Sequence, residues 1–305
     1  MTFRIATRGS NLALWQARTT QSLVAERHPN RDVELEIVQS SGDRDQSSTL
    51  GSFGRTGIFT VEIDRVVLAG EAHVGVHSMK DMTTVLPDGL VLAGALARGP
   101  IEDVLVSRGG KQLAELTEGA RVATGSRRRQ AMLLAARPDL EVSELRGNVE
   151  TRLAKIEAGE ADATIMARAG LVRLGLDSNI SEVLSIQQFV PAVAQGIVGL
   201  VCRQEDEETQ QILRDVTDRD AWAAALTERA FLRRLEGGCS APIGGHARVD
   251  GDTIHLHGRV VAPDGSKQVE GEVNGSVDEA AGLGVRLAES LLERGAGDIL
   301  ELARA

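Results

Sequence analysis

Cys239 stands inside "LRRLEGGCSAPIGG" (232–245), a glycine-rich break with arginines before it and a proline after it. A structural thiol normally sits in an apolar run, as Cys202 does in "GIVGLVCRQ", where it is expected to be packed. The glycines around Cys239 allow unusual backbone angles and close approach of a ligand. A thiolate held there by the preceding helix could serve as a nucleophile or as an attachment point. A second candidate is the pair Lys80-Asp81 in "VHSMKDM", at the end of an apolar run. A carboxylate at a strand's end can stabilise a developing cation or move a proton. His77 in the same stretch is an acid/base candidate, although a lone histidine is more often a hydrogen-bonded structural residue.

The strongest anion signal is "TGSRRRQ" (124–130), where Thr124, Ser126, Arg128 and Arg129 meet at the start of a helical pattern. The free N–H groups and dipole of a helix N-terminus already favour anions. Arginine has the wrong charge for that dipole, so something negative is expected beside it. "LRGNVETRLAKIE" (145–157) adds Arg146 in a loop and Arg152 on the next helix, and Arg173 follows in "LVRLGL". Thirty of the 34 basic residues are arginine, whose planar fork grips carboxylates through two bonds. Their clustering at strand–helix turns points to a polycarboxylate or phosphate ligand, and the residues do not choose between the two. The chain has no Walker A pattern and no dinucleotide glycine fingerprint, which weighs against a nucleotide. No metal-ligand spacing stands out, and no metal is expected. "HLH" (255–257) reads as the surface of a strand.

These residues need a scaffold. At 305 residues the chain is long enough for two or three domains. Hydrophobic residues at 42% and charged residues at 26% are ordinary for a globular protein. No apolar stretch reaches membrane-spanning length, and "MTFRIATRGS" lacks the basic-then-apolar pattern of a signal peptide. Two cysteines without a pairing pattern suit a reducing cytoplasm. A net charge of −10 argues against general affinity for nucleic acid.

The sequence also echoes itself. "RIATRGS" (4–10) resembles "RVATGS" (121–126), and "GEAHVGVHSMKD" (70–81) resembles "GEADATIMARAG" (159–170), in the same order. Each half predicts a strand, a Thr/Ser/Gly turn and a helix. Ser10 or Asn11 would cap "NLALWQARTTQSLVAER", and Ser126 would cap "RRRQAMLLAAR". Arg8 then occupies the turn equivalent to 124–126. "VELEIV" (33–38) alternates, with Val33, Leu35 and Ile37 on one face. "EDVLVSR" (102–108) and "ADATIMA" (161–167) suit a buried parallel sheet. The expected fold is α/β, with two similar lobes at 1–96 plus 197–214 and at 102–190. "LARGPIE" (96–102) reads as the crossover, and "FVPAVAQGIVGLVCR" (189–203) as a return segment. From 219 the texture changes to an amphipathic helix ending at Gly237-Gly238, three strands separated by hairpin signals, and a helical end. Residues 219–305 are therefore expected to form a small α+β C-terminal domain.

Seven segments, "RIATRGSNLALWQA", "HSMKD", "GSRRRQ", "LRGNVETRL", "AGLVRLGL", "PAVAQG" and "LEGGCSAPIG", stand in the order found in the hydroxymethylbilane synthase (porphobilinogen deaminase) family, which the chain resembles over nearly its whole length. The resemblance implies two lobes like those of type II periplasmic binding proteins plus a third domain. It implies a transferase that joins four porphobilinogen molecules head to tail into linear hydroxymethylbilane, releasing ammonia each time. A dipyrromethane cofactor would be bonded by a thioether to Cys239, where a thiolate can trap the electrophile formed when porphobilinogen loses ammonia. By resemblance Asp81 is the catalytic carboxylate. Lys80, Thr124, Ser126, Arg128, Arg129 and Arg146 would bind the cofactor, and Arg8, Ser10, Phe59, Arg146, Arg152 and Arg173 the substrate. The protein would be a cytoplasmic monomer without nucleic-acid or membrane partners, handing its product to uroporphyrinogen-III synthase.

The sequence departs from the family pattern in places. Residues 43–57 look like the family's lid, but common lysines are replaced there, with Arg55 and Thr56 near its end. Thr83 stands where proline is common, Ala194 in place of a common glycine, and Gly125 in place of a common serine. A solute-binding protein would share the two lobes but would not need Cys239. A ligand-sensing regulator would need a DNA-binding segment, and no basic helix-turn-helix pattern is present.

Overall fold

The computed structural model describes residues 2–38, 60–236 and 241–304. Residues 43–57, the segment that resembles a lid, together with Phe59 and Cys239, lie outside the described residues. The chain separates into two compact units, one of residues 1–99 and 196–225, the other of residues 100–195 and 226–305.

In the first unit a five-stranded sheet has the order β2-β1-β3-β10-β4, from β1 (Phe3–Arg8), β2 (Val33–Val38), β3 (Val74–Ser78), β4 (Leu90–Ala95) and β10 (Val198–Arg203). Helix α1 (Asn11–Arg27) buries Ala17 and Val24 with Phe3, Ile5, Val76 and Leu200 in one core. The helices α2 (Val61–Leu68) and, later in the chain, α6 (Glu207–Asp215) belong to the same unit. Val33, Leu35 and Ile37 do share a face of β2, but only Val33 is buried. The apolar stripe thins along this edge strand, and Ile37 is 56% exposed.

In the second unit the sheet order is β7-β6-β8-β5-β9, from β5 (Asp103–Ser107), β6 (Arg121–Ala123), β7 (Glu141–Ser143), β8 (Ala163–Ala167) and β9 (Glu182–Val183). Position for position this repeats the first sheet. "RIATRGS" and "RVATGS" supply the equivalent strands β1 and β6, and the second echo supplies β3 and β8. The fully parallel sheet expected from the apolar runs is corrected: β6 runs parallel to β7 and β8, but β5 is antiparallel to β8 and β9. In the first sheet β10 is likewise antiparallel to β3 and β4. β5 and β10 are the strands that follow the two passages between units. They run against strands joined by strand–helix–strand crossovers, which force parallel pairing.

Helices α3 (Arg127–Ala136), α4 (Val149–Glu157) and α5 (Arg168–Arg173) complete the second α/β layer. After α7 (Arg219–Arg234) the chain makes an antiparallel meander, β11 (Ile243–Asp250), β12 (Thr253–Val261) and β13 (Gln268–Ser276). It ends in α8 (Ala280–Leu291) and, past a kink at Gly295, α9 (Gly297–Arg304). Phe231 of α7 is fully buried against β12. A Cβ on Gly258 would stand 2.5 Å from the Phe231 ring, so only glycine fits beneath it. Helix α7 ends before Gly237-Gly238, because Glu236 itself takes the left-handed conformation, φ 52°.

Candidate active site

In each α/β sheet a strand ends in a serine-capped helix. The Ser10 hydroxyl accepts from the N–H of Ala13 at 3.4 Å, and the Ser126 hydroxyl accepts from the N–H of Arg129 at 3.4 Å. A serine in this place is worth about 1 kcal/mol to its helix. Each hydroxyl retains a proton to donate, which suits an anion at the helix start. Arg8 lies at the end of β1, beside the first of these caps. Thr124 is buried beside the second, its Oγ1 accepting from the N–H of Ser126 at 3.2 Å.

Lys80 and Asp81 lie in a single 3-10 turn, Met79–Asp81, directly after β3. The Met79 N–H donates to the Ile197 carbonyl at 3.0 Å, and Gln16 Nε2 donates to Ser78 Oγ at 2.8 Å. Met79 and Met82 pack down on β10 so tightly that a Cβ on Gly199 would stand 3.0 Å from Met82 Sδ and 3.1 Å from Met79 Cε. The turn is anchored by its apolar residues and turns its acid outward: Asp81 is exposed and Lys80 half-buried. His77 is buried beside Asp64 of α2, Nε2 to Oδ1 at 3.1 Å, and so takes the structural role.

The arginines of "TGSRRRQ" resolve into three distinct placements. Arg127 is exposed and donates to the Ala303 carbonyl at 2.8 Å, satisfying one of the open carbonyls at the end of α9. Arg128 and Arg129 turn inward and share Asp103, which is 0% exposed. Arg128 Nη2 donates to Oδ2 at 2.7 Å, while Arg129 donates to Oδ1 through Nη2 at 2.7 Å and Nε at 3.0 Å. Gln195 Nε2 adds a further bond to Oδ1 at 3.0 Å. The outer nitrogens of the two arginines are fixed as well, on the Val190 carbonyl at 2.7 Å and the Ile165 carbonyl at 3.1 Å. Burial alone would raise the Asp103 carboxyl, but the guanidiniums of Arg128 and Arg129 hold it far below the usual carboxylate range. Burial lowers the Arg128 guanidinium from its ordinary value, yet it stays charged at neutral pH. Two guanidiniums thus face one carboxylate, leaving one positive charge in excess. Arg128 Nε is a buried donor without a partner among the described residues.

Three more of the sequence-predicted arginines belong to the second unit. Arg146 and Arg152 are each tethered through Nε, to Glu144 Oε1 at 2.9 Å and to the Gly147 carbonyl at 2.9 Å. Asn148 caps α4, its Oδ1 accepting from the Thr151 N–H at 2.8 Å. Arg173 closes α5, where burial brings it down to about 10, so it too is charged at neutral pH.

The structure therefore places Arg8, Ser10, Lys80 and Asp81 in the first unit, and Thr124, Ser126, Arg128, Arg129, Arg146, Arg152 and Arg173 in the second. Cys239 and Phe59 lie outside the described residues. Sequence reasoning missed Asp103 and Gln195. The signal was a carboxylate heading the apolar run "EDVLVSR", which has no reason to be buried without cationic partners. It also missed Glu228, a fully buried carboxylate of α7 that accepts from the N–H groups of Ala194 at 2.5 Å and Ala247 at 2.6 Å. Among the described residues no cluster of His, Cys, Asp and Glu is placed to hold a metal ion, and no helix is long and apolar enough to cross a membrane.

Two family descriptions match the chain: "Porphobilinogen deaminase, dipyromethane cofactor binding domain" over residues 3–211, and "Porphobilinogen deaminase, C-terminal domain" over residues 222–293. Porphobilinogen deaminase of Pelotomaculum thermopropionicum is 44% identical over 300 residues, covering 98% of this chain and 96% of that protein. Among solved structures, the Bordetella pertussis BvgS VFT2 domain is similar with TM-score 0.45 and 16% identity, over 70% of this chain and 86% of that one. The periplasmic sulfonate-binding protein SsuA of Methylobacillus flagellatus KT is similar with TM-score 0.39 and 16% identity, over 74% of this chain and 68% of that one.

Proposed function

From the premise that the chain belongs to the porphobilinogen deaminase family, we propose that Asp81 is its catalytic carboxylate, Cys239 its cofactor anchor and the arginine set its carboxylate-binding surface. The activity is that of a hydroxymethylbilane synthase, a transferase of tetrapyrrole biosynthesis that uses a dipyrromethane cofactor and takes porphobilinogen as substrate.

The residues present fit such a cofactor. Its acetate and propionate groups are carboxylates. The Arg128–Asp103–Arg129 cluster carries an excess positive charge and a buried Arg128 Nε with no partner among the described residues. That cluster at the start of α3 is the observation that carries the site assignment. Arg128, Arg129, Arg146, Thr124 and Ser126 would hold cofactor carboxylates, with Lys80 beside Asp81. Arg8, Ser10, Arg146, Arg152, Arg173 and Phe59 would meet the carboxylates of incoming substrate. When bound through Cys239, the dipyrromethane supplies the pyrrole end to which the first substrate unit is joined.

Asp81 has the chemistry for the charge that appears on the substrate. As ammonia leaves porphobilinogen, the pyrrole nitrogen shares the developing positive charge. An exposed carboxylate on a rigidly anchored turn can accept the pyrrole N–H and stabilise that charge without reorganising. Lys80, of the opposite charge, would meet a carboxylate of the ligand and not the cationic centre. Asp81→Asn keeps the size and loses the charge. It is expected to retain cofactor and substrate binding while kcat falls by about 10²–10³, or about 3–4 kcal/mol. Steady-state turnover with porphobilinogen checks this, and a near-parental kcat would remove Asp81 from the catalytic role.

We further propose that residues 219–305 act as the attachment domain beside lobes at 1–96 with 197–214 and at 102–190, and that the protein works as a monomer in the cytoplasm. Cys239 must stay a thiol until it is alkylated, which a reducing compartment favours. The linear product would pass to uroporphyrinogen-III synthase.

A further inference from the structure

The arginine pair poses a folding problem. If Arg128 and Arg129 bind the cofactor, and the protein itself assembles that cofactor from substrate, the chain must first fold without it. Both guanidiniums are nevertheless buried, at 4% and 6% exposure. Two like charges removed from water with no counter-charge would be strongly destabilising. Asp103 meets this need. It accepts from both arginines and from Gln195, while the Val190 and Ile165 carbonyls take the remaining outer nitrogens. The carboxylate leaves one charge and one donor, Arg128 Nε, unmatched.

We propose that Asp103 is a positioning residue that serves as a built-in counter-ion: it keeps Arg128 and Arg129 charged, buried and aimed before the cofactor exists, and leaves one positive charge for a ligand carboxylate. This rests on the reading that these two arginines bind the cofactor. A carboxylate with a purely architectural role would matter equally with and without cofactor. A counter-ion matters most without it, because the cofactor's own carboxylates then supply negative charge.

The experiment compares Asp103→Asn in two backgrounds. The apo background carries Cys239→Ser, and the other is the chain loaded with cofactor. Removing one partner of a buried ion cluster is expected to lower Tm by roughly 6–15 °C in the apo background. The loss should be at most half as large in the loaded protein. Succinate, titrated against chloride at equal ionic strength, should raise Tm more in the apo Asp103→Asn chain, where two charges are unmatched, than in the apo Asp103 chain, where one is. A variant that folds only when loaded gives the same support in extreme form. Equal losses in both backgrounds, or an apo variant indifferent to succinate, overturn the proposal. If Asp103→Asn folds in neither background, Asp103→Asn combined with Arg128→Leu and Arg129→Leu decides: removing the charges together with their counter-ion should restore folding of the apo chain, and a triple variant that still fails to fold overturns the proposal. Arg128→Leu separates the two readings. If it acquires cofactor as the parent does, the assignment of the arginines fails; if it does not, while the Asp103→Asn losses are equal, only the counter-ion role fails.

Discussion

Replacing Arg128 by leucine probes the site where structure and chemistry meet most tightly. The side chain makes two short charge-assisted bonds, to Asp103 Oδ2 and to the Val190 carbonyl, both at 2.7 Å and both shielded from water. Each is worth about 1.5–3 kcal/mol, so their loss amounts to about 3–6 kcal/mol. Burying a leucine in their place offsets about 2 kcal/mol. Asp103 keeps Arg129 and Gln195, so no bare carboxylate remains. The net cost is about 1–4 kcal/mol, visible as a lower urea midpoint at unchanged m. The functional loss is separate. The variant cluster is neutral, because one guanidinium now faces one carboxylate, and the excess charge that would hold a ligand carboxylate is gone. Losing that one contact weakens binding by about 10–150-fold. Mass spectrometry of the purified variant should show a mixture of apo and loaded chains, and complexes trapped with porphobilinogen should stall at particular lengths. Arg128→Lys keeps the charge without the two-pronged fork, and should recover part of the stability but not the parental ladder. An unchanged urea midpoint together with full cofactor content and the parental ladder would refute the reasoning.

The acid limb of stability should report Asp103. Its folded value lies well below the ordinary 3.8, so its contribution is complete above that value and is lost as pH falls through the strongly acid range. Stability of the parent should therefore fall more steeply below about pH 4 than that of Asp103→Asn, and parallel acid limbs would contradict the assignment. Cys202 should be inert. Burial pushes its thiol up to about 12, so in Cys239→Ser a thiol reagent at pH 8 should label nothing until the protein unfolds, and labelling of the native variant would show that β10 opens.

Much of this was legible because local chemistry and tertiary structure agree. Ser10 and Ser126 cap the helices that the Thr/Ser/Gly turns predict. The two internal echoes fall on equivalent strands of two sheets with the same order. The turn holding Lys80 and Asp81 sits where the apolar run of β3 stops. Strand direction was not legible, because an apolar run such as "EDVLVSR" reads the same in a parallel and an antiparallel sheet. Nor were the partners of the arginines. The cluster implied something negative nearby, and part of it is the chain's own Asp103, brought from 25 residues away. Gln195 and Glu228 were hidden for a related reason. Each is a polar residue whose burial depends on groups distant in sequence, so neither spacing nor periodicity marks it.

The central claim is that this chain builds its polymer on a primer fixed to Cys239, and intact mass under denaturing conditions tests it most directly. Protein purified from cells supplied with porphobilinogen precursors should carry the mass of two linked pyrrole units, mapped by peptide analysis to residues 237–240, with Cys202 unmodified. Cys239→Ser should show the bare chain mass, since a hydroxyl is a far weaker nucleophile than a thiolate near neutral pH. A parent that shows only the bare mass, or a Cys239→Ser chain that still carries two pyrroles, would contradict the account.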